Sequence, residues 1–334
     1  LAFSIHVEGF AEDVGTPSEC LLKHSNHAAR LDILQDVVEP HGVKLTYEPE
    51  EPYLIGEALY LNPPSGANPA QVTTIAERVA AGHFSAPHSD LYAATLSCPQ
   101  VYASDGTGVG AYTSASTQCA AGVTDLTDLK NAYTAVGLAA PTYISGICTE
   151  ADWLSITAAA GFSRVGGTVG WCARTMSPAA LSAFGADYAV IHEGTCTGPA
   201  TCHQQTPLDD DSKLRPWKTS DITNWLSDDP GGSLTVLPSI GDPRCMAEYE
   251  LTDESETGCD YTDDDLQPYF DRLDRAIELA TEDGRDRSVI LTLSVGGAID
   301  TDDAARYATW AERVKTEYID TGKATWVATY AAAE

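Results

Sequence analysis

The stretch Leu1-Ala2-Phe3-Ser4-Ile5-His6-Val7-Glu8 sets how the rest of the chain is read. It is apolar at its start and ends on an imidazole and a carboxylate, and Ala2 to Glu8 reads as a β-strand. Residues two apart in a strand face the same way, so His6 and Glu8 stand side by side at the strand end. A second pair of this kind, His88-Ser89-Asp90, follows Gly82-His83-Phe84. If the two pairs face each other, they supply two nitrogen and two oxygen ligands, enough for a zinc-like divalent ion.

Outward from this strand, helical and extended patterns alternate. His27 to Pro40 places Ala28, Leu31, Leu34, Val37 and Val38 on one side and predicts a helix. Val43 to Glu48 predicts the next strand, Pro69 to Ala81 a second helix, and Gly82 to His88 a further strand. The Gly/Ser/Thr-rich stretch from Ser97 to Gly122 has no periodicity and reads as a long surface loop. Beyond it, helices are predicted over 124–136, 150–160, 266–282 and 302–319, with strands over 141–146, 162–169, 188–192, 234–238, 289–293 and 324–329. Such alternation implies parallel strands with helices outside them. The expected fold is therefore α/β: a distorted, TIM-like (β/α) barrel of seven or eight mostly parallel strands. With no linker or internal repeat in sight, residues 1–334 read as one domain. Barrels of this type work at the C-terminal ends of their strands, where His6, Glu8, Glu48, His88, Asp90 and His192 are expected to fall.

Composition narrows the partners. The 49 acidic and 19 basic residues give a formal charge of −30, which repels a phosphate backbone and an acidic membrane surface. A neutral or cationic substrate is compatible with that field, and no basic patch is visible in the sequence for a polyanionic one. No stretch is apolar and long enough to cross a bilayer. Nine cysteines lie at positions 20, 98, 119, 148, 172, 196, 202, 245 and 259, none in a Cys-x-x-Cys pair. Many sit in polar loops close to one another in sequence, Cys98 and Cys119, Cys196 and Cys202, and Cys245 and Cys259, which suggests disulfides; Cys148 with Cys172 is a candidate fourth pair that leaves Cys20 over, but sequence does not fix the connectivity. Reduced, buried thiols are the alternative. Loop disulfides, an acidic surface and a chain that opens directly inside a strand together suggest a secreted or extracellular protein whose leader has been removed.

In its order of elements the chain resembles the polysaccharide deacetylases, carbohydrate esterases built on a distorted (β/α) barrel. Phe3-Ser4-Ile5-His6-Val7-Glu8-Gly9 is similar to that family's first motif, a strand ending in two acidic residues. Gly82-His83-Phe84-Ser85-Ala86-Pro87-His88-Ser89 resembles its second, in which a Gly-His strand leads to a metal-binding histidine. Leu31 to Leu34 and His41 to Tyr47 look like its first helix and second strand, and Glu150 to Thr168 like a later helix and strand. The sequence departs from the pattern at several places. His6 and Glu8 stand where the family has its Asp pair, and Tyr92 stands where a later histidine belongs. The arginine motif is reduced to Pro141-Thr142-Tyr143-Ile144, and Leu291-Thr292-Leu293-Ser294 lacks a catalytic histidine.

The resemblance implies a metal-dependent hydrolase that deacetylates an N- or O-acetylated poly- or oligosaccharide. Its expected ligands are His6, Glu8, His88 and Asp90, around a divalent metal such as zinc. Glu8 or Glu48 is the expected base, and His192 the group that protonates the leaving amine or alcohol. Trp153, Trp171 and Trp217 are candidates to stack on sugar rings, with a core role as the alternative for each, and Arg215 and Trp217 are candidates to line the cleft. His24 and His27 are read as lying before the first helix. Two other functions stay open. Glu8, Glu48 and Glu193 could serve a metal-independent glycoside hydrolase using paired carboxylates. Alternatively, the barrel could bind carbohydrate without turnover.

Overall fold

Strand β1 (Ala2–Val7) is buried along its whole length, as a strand covered on both faces must be. Phe3, Ile5 and Val7 join the main core, where the Phe3 ring meets Trp310 edge-on at 5.0 Å. Ser4 and His6 alternate onto the opposite face. The computed structural model describes residues 1–7, 16–89, 115–146, 153–166, 211–221, 225–238, 263–294 and 301–333.

Chain order continues with α1 (Pro17–Val38), β2 (Leu45–Pro49), α2 (Glu51–Leu61), α3 (Ile75–Ala80) and β3 (Phe84–Ser85). Next come α4 (Ala115–Ala135), β4 (Tyr143–Ser145), α5 (Trp153–Ala159) and β5 (Arg164–Gly166). The last described elements are β6 (Trp217–Thr219), β7 (Leu234–Val236), α6 (Asp263–Asp283), β8 (Ile290–Ser294) and α7 (Thr301–Val314).

These strands make two four-stranded sheets, ordered β3-β2-β1-β8 and β4-β5-β7-β6. All pairings are parallel except β6 on β7, which is antiparallel. An isolated parallel bridge between His88 and Ser145 links the sheets, with Ser145 N–H donating to Pro87 O at 3.1 Å and Ser89 N–H to Ser145 O at 3.0 Å. A small apolar cluster of Ala2, Ala86, Tyr143, Leu237 and Ile290 is shared between them.

Several expectations are corrected here. Among the described residues the closed barrel is not formed: neither sheet closes on itself, and the antiparallel β6 caps one edge of the second sheet. A parallel barrel needs every strand to present its free edge to a parallel neighbour, and β6 does not. The expected closing strand over 324–329 is irregular chain running into a 3₁₀ turn at Thr329–Ala333. The loop disulfides are not carried forward either. Each of the expected pairs includes at least one cysteine outside the described residues. Cys20, left without a partner in that reading, is disulfide-bonded. Cys119 falls in α4, not in a loop. The strand expected over 188–192 lies outside the described residues.

Helix α1 also starts ten residues earlier than its apolar periodicity indicates. Thr16 caps it by accepting from Glu19 N–H, and Pro17 opens its first turn. His24 and His27 are therefore inside the helix, and His24 is buried with its Nε2 3.6 Å from Glu57 Oε2. Arg78 of α3, fully buried, ties these layers together. It donates to Asp32 at 2.7 Å, to Gln35 at 2.8 Å and to Ala28 O at 3.0 Å, and stacks over Tyr47.

Candidate metal centre

Residues in register on neighbouring parallel strands point to the same side. Register pairs His6 of β1 with Glu48 of β2, and so sets their side chains next to each other near the C-terminal ends of both strands. The chain beyond β3 follows the edge of β2, where His88 N–H donates to Pro49 O at 3.1 Å, and delivers a second imidazole to the same place. His6 Nε2 lies 3.1 Å from Glu48 Oε2, and the His6 and His88 rings stack with centroids 3.8 Å apart. One ligand atom from each of the three residues lies within 4.8 Å of the others. All three are buried, at 2%, 0% and 0% exposure, which removes the chance gathering of polar groups on a wet surface.

The surroundings orient these groups. His88 Nδ1 is 2.8 Å from Ser145 Oγ, which leaves Nε2 as the ligand atom, the arrangement typical of metal-bound histidines. Ser4 Oγ, two residues before His6 and on its face, donates to Glu48 Oε2 at 3.2 Å. Tyr143 stands beside Glu48 in full burial. Desolvation first, then the Glu48 charge, raise its phenol well above the ordinary range against a smaller lowering by Ser145, so it stays a donor. Two glycines make room. Gly146 has φ +76°, and a Cβ there would sit 2.2 Å from His88 Cε1. A Cβ at Gly166 would meet the Tyr143 hydroxyl at 2.4 Å.

These residues fit a metal. Two imidazoles and one carboxylate are a zinc-type donor set, and Glu48 Oε1 is buried with no hydrogen bond among the described residues. An uncompensated carboxylate oxygen away from water is costly unless a cation meets it.

His6, His88 and Glu48 are thus brought together, with Glu48 in a ligand's position although the sequence marks it as a base. Glu8, Asp90, Trp171, His192 and Glu193 lie outside the described residues. Trp217 is buried, stacked on Trp225 at 6.3 Å with its indole N–H donating to Trp225 O, and Trp153 packs edge-on to Trp225, so both sit in an aromatic core. Arg215 is exposed on the chain entering β6 and lines a cavity away from the three ligands. Ser145, Gly146 and Tyr143 are not singled out by the sequence. The one trace of them is the run Tyr143-Ile144-Ser145-Gly146, an apolar strand that ends on a hydroxyl and a glycine.

The chain is thus an α/β protein with a buried His/His/Glu cluster consistent with a metal-binding site. No protein-family model matches it, and neither curated proteins nor solved structures provide a match. Among the described residues no helix is long and apolar enough to cross a membrane.

Proposed function

We propose that His6, Glu48 and His88 hold a divalent cation, zinc by donor type, and that the protein is a metal-dependent hydrolase removing acyl groups from a carbohydrate. The observation that carries this reading is the convergence within 4.8 Å of three ligand atoms, from β1, from β2 and from the chain beyond β3. The two stretches that resemble polysaccharide deacetylases, Phe3 to Gly9 and Gly82 to Ser89, are those that contribute His6 and His88. Three protein ligands leave a coordination position open. A cation held there supplies Lewis acidity to a water or an acyl oxygen.

The chain's own groups do the rest. Ser145 fixes the His88 ring through Nδ1, and Ser4 and Tyr143 hold Glu48 in place. In this reading Glu8, the residue after β1, takes a proton as the base. His192 protonates the leaving group, and Trp171 stacks on the sugar. A neutral acylated sugar suits a chain of charge −30, which would repel a polyanion over most of its surface.

The test is metal analysis of the purified protein, paired with acetate release from acetylated oligosaccharides. About one equivalent of metal is expected, lost in His88→Ala with the fold kept by circular dichroism. Equal metal content in His88→Ala and the parent would reject the site. Bound metal without acetate release would reject the deacetylase reading and keep the site.

A further inference from the structure

A second site lies at the other end of the first sheet. A cavity of about 980 Å³ is bounded by the starts of β1 and β8, one face of α6, the chain from Gly322 to Ala331, and Arg215-Pro216. His6 is four residues along β1 from Ala2 on the cavity wall, so the metal-ligand cluster is roughly 13 Å away at strand rise. Every lining residue is among the described ones.

The lining is unusual for this protein. Lys and Arg are 19 of 334 residues, yet four of the cavity's twenty lining residues are Arg215, Arg285, Arg287 and Lys323. Asp286 is the one acidic residue lining it. Arg287 is engaged by Asp283 at 2.8 Å, with its side chain 9% exposed, but its Nε is buried and makes no hydrogen bond. Arg215, Arg285 and Lys323 make no ion pair among the described residues; Lys323 only approaches the Tyr318 ring, at 5.7 Å. Cations near the C-terminus of α6 are expected, because they offset the helix carbonyls. That accounts for Arg285 and Arg287 but not for Arg215 and Lys323, which arrive from two other parts of the chain. The remaining wall is apolar, with Leu273, Ile277, Val289 and Val327 contributing.

We propose that this cavity binds a small molecule carrying an anionic oxygen group, carboxylate or phosphate, on an apolar body. Its volume is that of a small-molecule site. A chain of net charge −30 repels anions in general, so one-to-one anion binding must be local. The cations meet the oxygens and the α6 face takes the apolar part. The site is separate from the proposed metal centre and does not depend on it.

Isothermal titration with octanoate, octyl phosphate and the neutral octanamide tests the proposal. Either anion is expected to bind one-to-one, and octanamide at least about tenfold more weakly. The order of octanoate and octyl phosphate tells which anionic group the cavity takes. The double variant Arg285→Ala/Lys323→Ala changes exposed side chains only and should weaken the anion about tenfold or more. His88→Ala should leave anion binding unchanged, which separates this site from a carboxylate held by metal. Octanamide binding as tightly as octanoate, an unaffected double variant, or no binding of either anion at millimolar concentration overturns the proposal.

Discussion

At the carboxyl ends of β1 and β2 the polar groups are few, buried and matched: two imidazoles, one carboxylate, and hydroxyls that orient them. At the amino ends of β1 and β8 they are cationic, largely unpaired and set around an open cavity. The same strands run through both places. The difference arises from how each end is built. Parallel register places His6 beside Glu48 with no freedom to separate, which favours a compact ligand set. The amino ends receive chain from α6, from the approach to β6 and from the C-terminal segment, so their chemistry is assembled from distant pieces. Backbone geometry specifies one site and loop convergence the other.

Gly146→Ala should break the contrast most strongly. The added methyl collides with the His88 ring and strains a left-handed backbone position, so metal affinity should fall on the order of 100-fold and the melting temperature by a few degrees. Octanoate binding at the other end should not change. Metal titration and calorimetry on the same variant check both halves. Glu48→Gln keeps shape and the Ser4 contact but removes the ligand charge, and should lower metal affinity by about 100-fold with little change in melting. Retained affinity in equilibrium dialysis would show that the carboxylate is not a ligand.

Ser145→Ala removes only the partner of His88 Nδ1, and a loss nearer tenfold is expected from the same dialysis. Arg215→Ala sharpens the contrast from the other side. It should weaken octanoate by about threefold in calorimetry, as for one exposed charge, and leave metal content intact.

The smallest effect concerns Glu51, the first residue of α2 and close to the metal-ligand end. Burial, then Asp128 and Asp125, raise its carboxyl from 4.5 to about 7. The folded form thus holds this proton more tightly than the unfolded chain. Its contribution to stability is complete below pH 4.5 and is lost as pH rises through about 7. Glu51→Gln should melt higher than the parent above pH 7 and equally with it below pH 4.5; a constant offset across that range would show that the carboxyl does not titrate there.

Much of the α/β alternation was legible. The strands at 2–7, 45–49 and 290–294 and the helices at 263–283 and 301–314 lie where apolar periodicity places them. Helix starts were less so. The true start of α1 is set by Thr16 and Pro17 rather than by its apolar stripe, and α3 begins at the Thr74/Glu77 capping box instead of at Pro69. The short strand β6 has three residues, too few for a pattern to emerge, and it pairs antiparallel with β7. In the metal centre, His6 and His88 could be found from strand-end position, whereas Glu48 could be found but not assigned its place. Spacing along one strand pointed to Glu8, but a ligand pair across two strands depends on register, which no single segment carries.

By itself the sequence determined the buried parallel strands, the helices between them and the two imidazoles at strand ends, because side-chain periodicity and local hydrophobicity are properties of a segment. Only the tertiary structure decided that Glu48 joins the two imidazoles, that the described sheets do not close on themselves, and that Arg215, Arg285, Arg287 and Lys323 share one cavity. Those outcomes depend on distances between residues tens to hundreds of positions apart, which are fixed by strand register and by the packing of separate elements, not by any local pattern.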